Sequence, residues 1–449
     1  AIPFMFREPL KLQLRILKIT MALFALVLLS LTWKLWTPQT LFPQVPLFSR
    51  VSELAPAVDW LSFAIMVLTL ISLFVLSAAS LLKKKTEDES APRFQMLCGC
   101  LFLLSFLLEV VFDQHRLQPW AYQFALGLLI LTVLKPPRAI PLFRLFVLSI
   151  YFYSALSKCD ASFVQTLGRQ LAEGLFSAVG ISTTYWSPQT LSWIAASFPI
   201  GEFLIAFGLF FRRTRQVALW AAVGMHLTLM LAIGPLGLNH YKGVLIWNVY
   251  FIFQDLILFH TWFQNQTSVE PVGRQAEEQL SPPTYSGLER AVQALIWFVL
   301  LAPLLEPTGY FDHWPSWGLY ASHHDRVVLL IDEESKWDLP PDLQPFVDSP
   351  RPLSRWCRVR VERWSLADLG APLYPQARFQ LGVAIAVGKA VEQDSPRDAS
   401  QPRIRLLYES AADRWSGERK IREYNGLSQI EALSQEFVLN ATPRPFPMK

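Results

Sequence analysis

The stretch Pro141-Leu-Phe-Arg-Leu-Phe-Val-Leu-Ser-Ile-Tyr-Phe-Tyr-Ser-Ala-Leu-Ser-Lys-Cys-Asp160 determines how the rest of the chain is interpreted. It is apolar and rich in aromatic residues up to Leu156, and it is long enough to cross most of a bilayer as a helix. Lys158 then falls where hydrocarbon gives way to lipid headgroups, and a charge there is costly unless it is paired, hydrated or functional. Two interpretations stay open: Lys158 anchors the helix end by reaching toward water, or it carries out chemistry.

Similar apolar runs recur along the chain. The 449 residues are 52% hydrophobic and only 17% charged, with a mean hydropathy of +0.29. Soluble proteins are usually less apolar and more charged. The sequence therefore predicts an integral, multi-pass membrane protein. Its helical domain, residues 1–306, is expected to be an all-α bundle of about nine transmembrane helices, at residues 17–36, 58–82, 94–112, 120–134, 140–157, 190–211, 216–236, 240–263 and 288–306.

Lys and Arg residues are distributed unevenly between the two ends of these runs. They are sparse on one set of flanks and cluster on the other, at residues 7–18, 83–93, 135–138, 212–215 and 274–290. Because cytoplasmic flanks carry the excess of basic residues, the N-terminus and the polar linker 264–287 are predicted to be cytoplasmic. Lys158, the corner 113–115 and everything after Pro307 are then predicted to face outward.

Residues 307–449 have the pattern of a small α+β domain that lies outside the membrane. Ser428–Asn440 has helical periodicity, and the aromatic segment Phe311–Tyr320 is expected at the outer interface. Short runs rich in β-branched residues, bounded by Pro, Gly and Asp, predict strands at 327–331, 357–361, 379–387 and 404–408.

Four polar residues fall inside the predicted spans, where each needs a partner. Glu202 and His226 lie midway along two successive spans, and Asn248 and Asp255 share one face of the next, since they are seven residues apart. They predict either a structural network that fixes helix packing, or a buried pocket whose acid, imidazole and amide tune a reactive group at its mouth. The two alternatives predict the same burial and stay open.

The spacing of the cysteines and the absence of known motifs argue against several kinds of site. Cys98 and Cys100 lack partners at metal-ligand spacing and are expected to be inert packing. Cys159 and Cys357 both fall on the predicted outer side, so they form either a disulfide or two free thiols. The sequence contains no phosphate-binding loop, no zinc-peptidase motif and no basic-aromatic array. We therefore expect no metal and no nucleic-acid partner.

The segment Ser154-Ala-Leu-Ser-Lys-Cys-Asp-Ala-Ser-Phe163 resembles a segment of the vitamin K-dependent γ-carboxylase family and of the wider group of HTTM (horizontally transferred transmembrane) domain proteins. The family's catalytic base falls on Lys158, while Ser157 replaces the lysine that precedes it. Two further segments are similar in order and spacing. They are Gly201–Phe211 followed by Arg215, His226 and Gly234, and Phe112–Tyr122 leading into Gly127-Leu128.

The sequence also departs from the family pattern in two places. The family has a histidine in the segment before Gly127-Leu128. Tyr122 or Trp120 stands there in this chain, and His115 lies several residues earlier. The part after Pro307 is also much shorter than the family's outer domain, without a match to its peptide-docking surface.

The resemblance implies a quinone-linked enzyme. In the family, a neutral lysine removes a proton from a reduced naphthoquinone (vitamin K-like), which reacts with O₂ to give a strong base, and a glutamate side chain is deprotonated and takes up CO₂. Carried over, this implies catalytic Lys158, His226 and Glu202, a cofactor held by His115, Tyr122 and Asn248, lipid contacts, and a protein or peptide substrate on the outer face.

Elementary electrostatics supports one step of that chemistry. The charged form of a lysine is disfavoured at a low-dielectric mouth, so Lys158 can act as a base. Asp160, two residues on, is expected to oppose this by stabilising the ammonium form. The alternative to an enzyme is a non-enzymatic scaffold or a quinone- or lipid-binding module, since a shared fold does not transfer activity.

Overall fold

The computed structural model describes residues 7–53, 56–82, 90–265, 286–393 and 401–445. The basic cluster 83–85 and most of the polar linker 264–287 lie outside these described residues. The chain before residue 307 is helical, with twelve α-helices in its described part: α1 Arg7–Leu31, α2 Pro56–Leu82, α3 Ser90–Phe112, α4 Pro119–Val133, α5 Pro136–Leu156, α6 Ala161–Gln165, α7 Leu167–Ala178, α8 Pro188–Phe210, α9 Arg215–Ile233, α10 Lys242–Phe259, α11 Thr261–Asn265 and α12 Gly287–Leu301.

Eight segments of the described chain are helical, long and apolar enough to cross a membrane, which is typical of a multi-pass membrane protein. Helix α4, which covers the predicted span 120–134, has only 15 residues, fewer than a bilayer needs. It is buried along almost its whole length, with α1, α3, α5 and α12 against it. Pro119 starts it, and Pro136 and Pro137 follow its end after two intervening residues, so its neighbours in sequence keep it short.

The elements of the C-terminal part, residues 307–445, are β1 Arg326–Asp332, β2 Trp356–Arg358, α13 Val361–Leu369, α14 Ala377–Gln393, β3 Ile404–Glu409, β4 Ile421–Asn425 and α15 Leu427–Leu433. The four strands form an antiparallel sheet in the order β2-β1-β3-β4. Register is set by residues such as Ile331 of β1, which pairs with Cys357 on one side and with Ile404 on the other. Helix α14 packs against β1 and β3.

Two predictions for this part need correction, and one strand was not predicted. The predicted strand 379–387 lies inside helix α14, which is buried on nearly every side of that stretch, so the apolar run has no polar face to reveal its period. Strand β4 was not predicted, because its residues are largely exposed and polar. The predicted helix 428–440 is shorter than expected, since α15 gives way to a 3₁₀ turn at Ser434–Glu436.

The C-terminal part contacts both corners that the basic-residue pattern placed on one side. At the corner after α3, Gln114 Nε2 donates to Asn440 O over 2.7 Å, and Arg378 Nε donates to Gln114 Oε1 over 2.7 Å. At the corner after α5, the backbone N–H of Ala161 donates to Arg414 O over 2.8 Å. The two corners therefore lie at the same end of the helical bundle.

All four cysteines are free thiols. Cys159 is exposed and Cys357 is buried, where it pairs with Ile331 in the sheet. The disulfide alternative between Cys159 and Cys357 is therefore wrong for this structure. Cys98 is buried in the helical core, as the packing interpretation requires.

Candidate functional site

A cavity of about 210 Å³ lies between helices α5, α8, α9 and α10, with further lining residues from α6, α7 and the C-terminal part. Its lining is mostly apolar and includes the aromatic rings of Phe198, Trp247, Phe251 and Tyr320. The polar residues that line it come from four elements: Tyr151, Ser154, Lys158, Glu202, His226, Thr228 and Asn248. A mostly apolar cleft or cavity with a few convergent polar groups is the usual form of a small-molecule site.

Helix α5 supplies one wall of this cavity. Tyr151, Ser154 and Lys158 are spaced three and four residues apart, so they share one helical face, and all three line the cavity. The helix ends at Leu156, and the turn after it holds Lys158, whose backbone N–H donates to Ala155 O over 3.0 Å. Lys158 therefore enters the cavity from the end of a rigid helix.

Lys158 forms an ion pair with Glu202 of helix α8. Lys158 Nζ lies 2.9 Å from Glu202 Oε1 and 2.8 Å from Oε2, and it also donates to Ser154 O and Oγ over 3.0 and 2.7 Å. The side chains are only 5% and 14% exposed. A pair this buried is screened weakly by water. The lysine is thus neither free nor snorkelling.

Asp160 does not bind Lys158. One of its oxygens caps helix α6 by accepting from the backbone N–H of Phe163 over 2.7 Å, and the other lies 3.0 Å from His323 Nδ1. The sequence-based expectation that Asp160 stabilises the ammonium form is therefore corrected: Glu202 is the bound carboxylate. An N-cap aspartate satisfies free backbone donors of a helix start, which explains why Asp160 turns away from the lysine.

A hydrogen-bonded chain runs from helix α10 across α5 to α9. The Tyr151 hydroxyl lies 2.5 Å from Asp255 Oδ2 and 2.7 Å from His226 Nε2. His226 Nδ1 lies 2.8 Å from Asn248 Oδ1, while Asn248 Nδ2 donates to Val244 O over 2.8 Å. Because this last bond fixes the amide orientation, Asn248 Oδ1 is the acceptor and His226 Nδ1 carries a hydrogen.

This chain can hold one mobile proton. With Nδ1 protonated, Nε2 of His226 either accepts from Tyr151 or donates to it. In the first case Asp255 is protonated and donates to the Tyr151 hydroxyl, and in the second Asp255 is a carboxylate and His226 is an imidazolium. The Tyr151 hydroxyl connects the two states, so the contacts allow a proton to move between His226 at the cavity wall and the fully buried Asp255.

The structure brings together four of the predicted site residues and separates two others from them. Lys158, Glu202, His226 and Asn248 all line the cavity. His115 and Tyr122, predicted to hold the cofactor, are not among the lining residues. The ring of Tyr122 packs against Trp317, with 5.3 Å between ring centroids.

His115 lies in the contact between the helical bundle and the C-terminal part. Its ring packs against Phe42 and Phe379, and its Nε2 is 2.9 Å from Pro372 O. Burial and the positive charge of Arg116 lower the pKa of His115 to about 4, although the hydrogen bond to Pro372 O acts in the opposite direction. A buried neutral histidine of this kind holds two parts of the chain together.

Sequence reasoning missed Tyr151 as a member of the site. Its position was visible, since Tyr151 lies seven residues before Lys158 and therefore on the same helical face. It also missed a group of potential metal ligands, Glu306, His313 and His323, whose ligand atoms lie within 4.8 Å of one another. Two of these come from the aromatic segment and the turn after it, where three histidines stand within twelve residues.

Comparison of the chain with protein-family models, with curated proteins and with solved structures finds no match. The resemblance to the γ-carboxylase family therefore stays a prediction. The class defined by the fold and the site is a bundle of membrane-length helices with a small α+β part, holding a mostly apolar cavity whose lining includes the Lys158–Glu202 ion pair and His226 of the buried hydrogen-bonded chain.

Proposed function

We propose that this protein is an integral membrane enzyme that binds a reduced quinone in the cavity and removes a proton from it with the Lys158–Glu202 pair. The observation that carries the proposal is this pair, with Lys158 Nζ 2.8 Å from Glu202 Oε2, on the wall of an otherwise apolar cavity. Buried ion pairs contribute little to stability compared with apolar packing. An ion pair aimed into a cavity is a common feature of functional sites.

The lining fits the ring of a naphthoquinone. Phe198, Trp247, Phe251 and Tyr320 supply flat apolar surfaces, against which an aromatic ring system stacks favourably. When bound, a reduced naphthoquinone supplies an ionisable hydroxyl group and electrons for reaction with O₂. Helices that span a membrane also place the cavity within reach of a lipid-soluble ligand.

Glu202 makes it feasible for Lys158 to act as a base. Only the neutral form of a lysine can accept a proton. A charged Lys158 must therefore first pass one of its protons to a neighbouring group. Glu202 is the carboxylate in direct contact with Lys158 Nζ. Closing the cavity over a ligand removes water and disfavours both charges, which favours transfer of that proton to Glu202. Ser154 meanwhile holds Nζ in place through two hydrogen bonds.

His226, on a different helix from Lys158 and Glu202, provides a separate proton acceptor in the cavity lining. His226 faces the cavity and passes a proton through the Tyr151 hydroxyl to Asp255. The Lys158–Glu202 pair and His226 lie on different helices. One can therefore remove a proton from the ligand while the other hydrogen-bonds to, and polarises, a second group of the ligand. Subsequent carboxylation of a glutamate-containing protein or peptide is proposed from the family resemblance alone.

The test is aerobic oxidation of a reduced naphthoquinone by the purified protein in nanodiscs, with incorporation of labelled CO₂ into glutamate-containing peptides as a second readout. Lys158→Ala and Lys158→Arg should each lower the oxidation rate about 100-fold or more, the typical contribution of a general base. Arginine should fail as well as alanine, because it stays protonated. Lys34→Ala is the control, since Lys34 is half-exposed and pairs with Asp368 away from the cavity.

The outcomes separate this enzyme from a non-enzymatic binding module. Full oxidation activity in Lys158→Arg contradicts the proposed base. Thermal stabilisation of the wild type by the quinone without any turnover contradicts the enzyme and favours the binding module. That alternative is favoured by one observation, namely that Ser154 and Glu202 already occupy the hydrogen-bonding capacity of Lys158 Nζ.

A further inference from the structure

A second cluster of chemically active side chains lies where helix α12 leads into the C-terminal part. Glu306 stands in the 3₁₀ turn Ala302–Thr308, and His313 and His323 lie in the segment between that turn and strand β1. Their side chains are only 10%, 11% and 7% exposed. None of the three lines the cavity, so the cluster is a separate site from the proposed quinone site.

The geometry brings three potential ligand atoms to one point. Glu306 Oε1 lies 2.7 Å from both His313 Nδ1 and His323 Nε2. The His323 contact is a hydrogen bond, whereas the equally short contact of the buried His313 Nδ1 lacks hydrogen-bond alignment. An unaligned contact of this kind leaves His313 Nδ1 available as a ligand atom.

The spacing suits a transition-metal ion. Zinc binds histidine nitrogen and carboxylate oxygen at about 2.0–2.1 Å in tetrahedral geometry, which separates neighbouring ligand atoms by about 3.3 Å. The three atoms lie within 4.8 Å of one another and the closest contacts are 2.7 Å. Binding of the ion therefore requires each of the two 2.7 Å contacts to widen by about 0.6 Å. Two imidazoles and one carboxylate are a preferred zinc ligand set, with water in the fourth position.

The surroundings support a cation. Asp160 Oδ2 lies 3.0 Å from His323 Nδ1, and a carboxylate on the far nitrogen of a histidine ligand fixes the ring and strengthens it as a donor. Arg414 opposes a cation electrostatically, but it binds the other oxygen of Glu306, Oε2, over 3.2 Å and leaves Oε1 to the histidines. With Asp160 included, the site offers two carboxylates to one guanidinium.

We propose that Glu306, His313 and His323 bind one zinc ion, with Asp160 orienting His323. The ion would join the end of helix α12 to the C-terminal part. Through Asp160, which caps helix α6, it would also fix the turn that carries Lys158. This goes against the expectation of no metal that the sequence gives, since the ligands are too far apart in the chain and too irregularly spaced to form a recognisable motif.

The test uses full-length protein without a histidine tag, stripped with a chelator and purified in detergent. The wild type should bind one equivalent of Zn²⁺ by elemental analysis and by calorimetry, and Zn²⁺ but not Ca²⁺ should raise its melting temperature. The variants His313→Ala, His323→Ala and Glu306→Gln should lose the bound equivalent and the thermal shift. His260→Ala is the control, because His260 lies between helices α10 and α11, outside the cluster.

Co²⁺ substitution guards against variants that fail to fold. In folded wild-type protein, tetrahedral Co²⁺ should give an intense visible absorption band that Zn²⁺ abolishes, and His260→Ala should retain it. Absence of metal binding by the wild type overturns the proposal. So does a zinc equivalent that persists in folded His313→Ala and His323→Ala, since it would then have other ligands.

Discussion

Lys158 shows how a single charged residue is accommodated in an apolar wall. A buried ammonium is costly without a counter-charge, and Glu202, 44 positions later, lies 2.8 Å away. Asp160 is only two residues from Lys158, but it is committed to the cap of helix α6 and to His323. Proximity in sequence therefore indicated the wrong carboxylate, because backbone geometry at a helix start determines where an N-cap side chain points.

His115 gives a pH prediction at this same scale. Its pKa is lowered from 6.5 to about 4 by burial and by Arg116, against the hydrogen bond to Pro372 O. A histidine kept neutral by the fold contributes stability that is complete above its unfolded pKa and is lost as pH falls from 6.5 toward 4. Acidification should therefore weaken the contact between the helical bundle and the C-terminal part.

The measurement compares melting temperatures of wild type and His115→Gln in detergent. Glutamine can keep a donor near Pro372 O but cannot become charged. Between about pH 7.5 and about pH 5.5 the wild type should lose about 1 kcal/mol more stability than the variant. Asp113, whose pKa burial raises to about 6 against Arg116, acts with the opposite sign but is present in both proteins. Equal acid sensitivity in the two proteins would contradict a neutral His115.

At the scale of elements, the sequence predicts the long membrane-length helices correctly, but it assigns the wrong type or role to the buried helices α4 and α14. Apolar runs of membrane length are distinctive, so the ends of α2, α5 and α8 lie close to the predicted spans. Helix α4 was predicted as a span because composition cannot show that neighbouring prolines limit its length. Helix α14 was mistaken for a strand because it is apolar on every side over 379–387.

Some residues of the candidate sites could be predicted from the sequence and others could not. Glu202, His226 and Asn248 could be predicted because a polar residue inside an apolar run requires a partner. The clustering of His313 and His323 with Glu306 could not, because these residues come from irregular segments with no period. Only tertiary folding brings their side chains together, and no spacing rule applies to such a set.

Close packing between helices depends on a glycine in helix α4. Gly127 of helix α4 faces α1 and α5 so closely that a Cβ there would lie 2.5 Å from Met21 Cε and 3.0 Å from Phe143 Cε2. Small residues allow such close approach between membrane helices. Gly127→Leu should destabilise the protein by about 1–3 kcal/mol through overpacking, measured as a lower melting temperature in detergent. In Gly224→Leu, where no atom lies within 4 Å of the added Cβ, the melting temperature should hardly change.

At the scale of the whole molecule, one buried charge network joins distant parts of the chain. Arg116 binds Asp59 of helix α2 over 2.7 Å and also Glu109 of helix α3, and all three side chains are fully buried. Arg444, near the end of the described chain, reaches the other oxygen of Asp59 over 3.0 Å. Two arginines thus neutralise two carboxylates, and the ion pair of Arg444 connects the C-terminal part to helix α2.

Removing Arg116 should therefore loosen the molecule as a whole. Arg116→Met leaves Asp59 and Glu109 buried, with Arg444 as the one remaining arginine bound to them among the described residues, and breaking a buried pair costs about 3–5 kcal/mol. We expect a lower melting temperature and faster proteolytic cleavage near residue 307. Arg422→Met is the control, since its ion pair with Glu436 is half-exposed and such pairs contribute about 0–1 kcal/mol. Asp59→Asn and Glu109→Gln added to Arg116→Met should recover part of the loss, because uncompensated charge is its cause. If the triple variant is as unstable as Arg116→Met, lost packing of the long side chain is the dominant effect instead.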